Sequence, residues 1–120
     1  MSQSLENEIL IRGLNDIIQL AEVISVANSD FDVQPGPKML SAVTKCVRSL
    51  LAHNFAVVGD LDFSGGSVKV KAWPGSPRSI VGRIVREWTE LKRDPGLSEI
   101  CWIELTQDGR RFGEKLHSHF

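Results

Sequence analysis

The segment "FAVVGDLDFSGGSVKVKAW" (55–73) constrains the fold more than any other. Around its Gly65-Gly66 pair the residues alternate, with Val68, Val70 and Ala72 on one side and Lys69, Lys71 and Trp73 on the other. Two such runs joined by a Gly-Gly turn read as a β-hairpin. A hairpin alone is marginal in water, so other elements must cover it. The rest of the chain supplies amphipathic helices for that purpose.

A first helix is predicted from about Ser4 to Ala27, because Leu10, Leu14, Ile17, Ile18, Ala21 and Ile24 recur at helical spacing. "NSDFDVQPGPK" (28–38) ends it with turn-forming residues and prolines. A second helix starts near Pro37 and carries Met39, Leu40, Val43, Cys46, Val47, Leu50 and Leu51 as one broad stripe, with Asn54 suited to a left-handed end. After the hairpin, Ser76 is an N-cap and Pro77 a first helical residue. Ile80, Val81, Ile84, Val85, Trp88 and Leu91 form the stripe of that third helix, which the Asp94-Pro95-Gly96 turn stops. Residues 100–105 are a third predicted strand, and Thr106 caps a last helix running to about Leu116. The predicted order is α-α-β-β-α-β-α. It makes an α+β fold of about four helices packed on a small antiparallel sheet of about three strands, winged-helix-like in part. At 120 residues the chain has the size of one domain spanning 1–120, which buries about two-thirds of its unfolded surface without disulfides or metal.

Charge is unevenly laid out beneath a net −1. Residues 1–35 hold six carboxylates (Glu6, Glu8, Asp16, Glu22, Asp30, Asp32) against Arg12 alone, whereas residues 36–93 hold ten Lys and Arg against four acids. Dedicated nucleic-acid binders are usually basic overall, and here the acidic first third partly cancels the basic middle. Apolar runs fall short of the about 18 residues of a membrane span, and the acidic "MSQSLENEILIRG" is unlike a signal peptide, so a cytoplasmic protein is expected.

No residue set dictates a chemistry, and neither catalysis nor a cofactor is expected. Cys46 and Cys101 sit in apolar patterns and read as buried thiols. His53 sits at a helix end; His117 and His119 form an "HSHF" tail without a third ligand, so no metal site is expected. Two binding functions remain. In the first, Asp30, Asp32, Asp60 and Asp62 present carboxylates to a basic protein, with Trp73 as an aromatic anchor. That pattern suits an immunity-type protein that neutralises a cognate toxin, for instance a nuclease. In the second, Lys38, Lys45 and Arg48 on the second helix and Lys69 and Lys71 on the hairpin contact DNA in the manner of a winged-helix regulator. Counting against that, a whole helix separates the hairpin from the last strand, and residues 34–37 stand where a helix should lead into the recognition helix.

The phrases "IRGLNDIIQLAEVISVA", "SLLAHNFAVVGDLD" and "REWTELKRDPGLSEICW" give the chain a wider resemblance, over about residues 10–109. It resembles a group of small single-domain bacterial proteins common in actinobacteria. The resemblance implies a self-contained unit and carries over no catalytic or ligand residue. "ELTQDGRRFGEKL" (104–116) departs from the group and is similar instead to the closing strand and helix of winged-helix domains.

Overall fold

The computed structural model describes residues 4–118, so His119 of the "HSHF" tail lies outside the described residues. The elements, in chain order, are α1 (Leu5–Arg12), β1 (Ile18–Gln19), α2 (Leu20–Phe31), α3 (Pro37–Ala52), β2 (Ala56–Asp62), β3 (Lys69–Ala72), α4 (Pro77–Leu91), β4 (Trp102–Leu105) and α5 (Gln107–His117). Five helices pack on one antiparallel four-stranded sheet of order β1-β4-β2-β3, an α+β fold. Among the described residues no helix is long and apolar enough to cross a membrane.

The first predicted helix is two helices with a strand between them. Gly13 ends α1, its N–H bonding back to Ile9, and a Cβ there would stand 2.7 Å from Leu105 Cγ. Asn15 and Asp16 turn the chain, and Ile18 then pairs with Ile103 and Gln19 with Trp102 at the sheet edge. The apolar spacing that suggested one continuous helix is divided among α1 (Leu10), the turn after it (Leu14, Ile17), β1 (Ile18) and α2 (Ala21, Ile24), and only Leu10 and Ile18 of these are fully buried. A second correction follows from the same break. Because α2 continues to Phe31, past the expected end at Ala27, a helix does lead into α3, through a short turn at 32–36.

β4 lies between β1 and β2, pairing Ile103 with both Ile18 and Val58. The path α1-β1-α2-α3-β2-β4-α5 is the winged-helix connectivity, with β3 and α4 inserted between β2 and β4. Ile9, Leu10, Ile18, Leu20, Val23, Val43, Cys46, Val47, Val58, Ile84, Cys101 and Ile103 are all at most 1% exposed and form one contiguous core. Thr106 caps α5, accepting the Gly109 N–H at 3.0 Å and donating to the Asn54 carbonyl at 2.7 Å. Gly109 and Gly113, one turn apart, let α5 lie directly on the Phe55 and Leu10 carbonyls.

Candidate nucleic-acid interface

α3 is the most uniformly basic helix surface. Met39, Val43, Cys46, Val47 and Leu50 face the core, and Lys38, Ser41, Lys45 and Arg48 face solvent. Its 16 residues include no carboxylate. Gly36 enters the helix with φ of +99°, and Pro37 takes the first turn, where its missing N–H costs nothing. The turn is anchored from outside, since the Asp94 carboxylate accepts the Gly36 N–H at 3.2 Å and the Trp88 indole N–H at 3.3 Å. Asp94 therefore ties the start of α3 to the end of α4.

The tip of the β2–β3 hairpin is solvent-exposed, with Phe63 68% and Val68 43% exposed. Lys69 and Lys71 are exposed on the edge strand, but Lys69 lies opposite Asp62 and Lys71 opposite Asp60. Opposite charges paired across strands stabilise the ladder and offset each other's field. The N–H of Val70 donates to Glu104 Oε1 at 2.9 Å, so a carboxylate from β4 satisfies part of the edge.

Of the expected acidic and aromatic residues, Asp30, Asp32 and Asp60 are exposed, Asp62 is half-buried and only Asp60 and Trp73 are joined by a hydrogen bond. Trp73 is a correction: at 5% exposure it is buried, because its side of the hairpin turns under α4 instead of outward. Its indole N–H donates to Asp60 Oδ2 at 3.2 Å, and the Arg83 guanidinium lies 3.7 Å from its ring centroid. Arg83 is held in turn by Glu87 at 2.7 Å. The four aspartates each have a local role. Asp30 lies 3.7 Å from Arg12, and Asp32 is the left-handed C-cap of α2. Asp60 anchors the indole, and Asp62 accepts both the N–H and the hydroxyl of Ser64 at the turn. Those Ser64 bonds hold the Asp62 carboxyl below its ordinary value.

The two free cysteines are Cys46 on α3 and Cys101 just before β4. Both are buried, and burial pushes the Cys46 thiol far up and the Cys101 thiol to about 12. The structure thus brings Lys38, Lys45 and Arg48 onto one helix face and leaves Lys69 and Lys71 on the hairpin edge. No protein-family model, no curated protein and no solved structure matches the chain.

Proposed function

We propose that the protein is a non-catalytic DNA-binding module of winged-helix type, a candidate regulator that presents α3 to the major groove and the β2–β3 hairpin to the flanking backbone. The observation that carries this reading is α3 itself: the second helix of a helix–turn–helix, with three exposed bases, no acid and a turn pinned by Asp94. A helix of this kind meets both needs of duplex recognition, charge for phosphate and short polar groups for base edges. Ser41, between Lys38 and Lys45 on the exposed stripe, supplies the latter.

The test is fluorescence anisotropy with labelled genomic DNA fragments over a salt series. Binding should weaken steeply as salt rises, with a log–log slope of about −0.9 per phosphate contacted. Lys45→Glu should weaken it at least about tenfold, since it reverses a charge at the centre of the stripe. Absent or salt-insensitive binding rules the reading out.

The second reading, an immunity-type inhibitor of a toxin, has the support of the acidic α1–α2 segment, where Glu6, Glu8, Asp16, Glu22 and Asp30 outnumber Arg12. It has lost its aromatic anchor in Trp73. Co-purification with a toxin encoded beside it would revive this alternative.

A further inference from the structure

We propose that α4, the helix inserted ahead of β4, is a second nucleic-acid contact element that sets Arg78 and Arg86 against the phosphates flanking the groove that α3 enters. This rests on the duplex-DNA reading above. The two helices run side by side and antiparallel. Pro77 and Ile80 share a surface hollow with Leu51 and Asn54, and Trp88, Thr89 and Lys92 share another with Pro37 and Leu40. With 3.6 residues per turn, buried Ile80, Ile84 and Trp88 define the inward side of α4. Arg78 shares an edge with half-buried Val81 and Val85, towards α3, and Arg86 points outward beside it. Arg48, three residues before Leu51, lies on the matching edge of α3. Of the acids of α4, Glu87 falls on the opposite edge with Arg83, and Glu90 lies one turn beyond Arg86 without an ion pair to it.

Ion pairing leaves the bases of this face free. Among the described residues, Arg12, Arg83, Arg93 and Arg111 each meet a carboxylate within 4.0 Å. Arg93 is gripped by both oxygens of Glu99, whose carboxyl is held at about 2 by those bonds. Lys38, Lys45, Arg48, Arg78 and Arg86 are exposed and take part in none of these ion pairs, as is also true of Lys69, Lys71, Lys92, Arg110 and Lys115 elsewhere. Because α3 and α4 pack side by side, their free bases lie on neighbouring helices, and an extended polyanion is the partner whose charge complements them.

Width decides how duplex DNA would meet that surface. Packed helices lie about 8–10 Å apart, so the pair with its side chains is about 20 Å across. The major groove is about 12 Å wide and admits one helix. With α3 in the groove, α4 must rest over the adjacent phosphate ridge, where Arg78 and Arg86 would position the domain without reading sequence. The insertion that interrupts the winged-helix pattern then extends the interface.

The test is an anisotropy titration of mixed-sequence DNA duplexes against salt, with the wild type, R78Q/R86Q, R78K/R86K and K45E. R78Q/R86Q should bind every duplex more weakly by a similar factor, with a salt slope shallower by about 1.8. R78K/R86K, which keeps both charges, should restore the wild-type slope. An unchanged slope in a R78Q/R86Q protein that melts at the wild-type temperature overturns the role of α4. If K45E still loses binding in that case, the DNA reading itself stands. A wild type that binds no duplex overturns both.

Discussion

At Gly59 the β2–β3 hairpin is pressed so tightly that a Cβ would collide with the Lys71 carbonyl oxygen and stand 3.0 Å from the Trp73 N–H nitrogen. This one missing side chain allows the close approach of β3 to β2, beside which Trp73 is buried against Asp60 and Arg83 and Val70 reaches Glu104. The obstacle is backbone on a paired strand, so it cannot be relieved by a rotamer change. Gly59→Ala should therefore cost about 3 kcal/mol, at the upper end for overpacking, read as a fall in the denaturant midpoint. Gly65→Ala, at the hairpin turn with no atom within 4 Å of the added carbon, is the control and should change stability little. Equal midpoints for Gly59→Ala and wild type would show that the hairpin can relax and that Gly59 does not fix its path.

Thr106 shows how one residue can settle an element and its neighbour together. Its hydroxyl accepts from Gly109 at the start of α5 and donates to Asn54 at the end of α3, and its N–H bonds the Phe55 carbonyl. Thr106→Ala should cost about 1–2 kcal/mol, the range for a lost N-cap, while Thr106→Ser keeps both hydroxyl bonds and should cost well under half of that. Chemical denaturation of the three proteins distinguishes these outcomes; a Ser variant as weak as the Ala variant would place the effect in the lost methyl group. This cap was legible in the sequence, as were Ser76 at α4 and the stripes of α3 and α4, because each rests on short-range chemistry. The α1–β1–α2 region was not. Leu10, Leu14, Ile17, Ile18, Ala21 and Ile24 fit a helical period, and only Gly13 and the Asn15-Asp16 pair signal the break. β1 is two residues long, held by long-range pairing to β4, so no local pattern could specify it. The bases of the candidate site on α3 were visible as off-stripe positions. The burial of Trp73 and the alignment of α4 beside α3 depend on how the hairpin coils, and no residue spacing encodes that.

At the scale of the whole molecule, acid and base are divided between elements while the core is shared by all of them. The carboxylate surplus sits on α1 and α2, and five of the bases without an ion pair sit on α3 and α4. A net charge of −1 is therefore compatible with a face that attracts a polyanion, because at physiological salt the field is felt over only about 8 Å. Such a face works only if α3 and α4 keep their alignment, which requires that the inserted β3–α4 unit does not open on its own. The buried cluster bears on this: Ile80, Ile84 and Trp88 of α4 join Val43 and Val47 of α3 and Ile103 of β4 in one core. The radius of gyration, 13.7 Å, equals the value of about 13.6 Å for a single compact chain of this length. Unfolding should accordingly be one cooperative transition. Trp73, Trp88 and Trp102 report from the end of β3, from α4 and from β4, whereas far-ultraviolet circular dichroism is dominated by all five helices. Guanidinium titrations followed by tryptophan fluorescence and by circular dichroism should give coincident midpoints. A fluorescence change that precedes the loss of helix would mean that the insertion opens separately, and α3 and α4 would then lack the fixed alignment that a shared DNA-binding face demands.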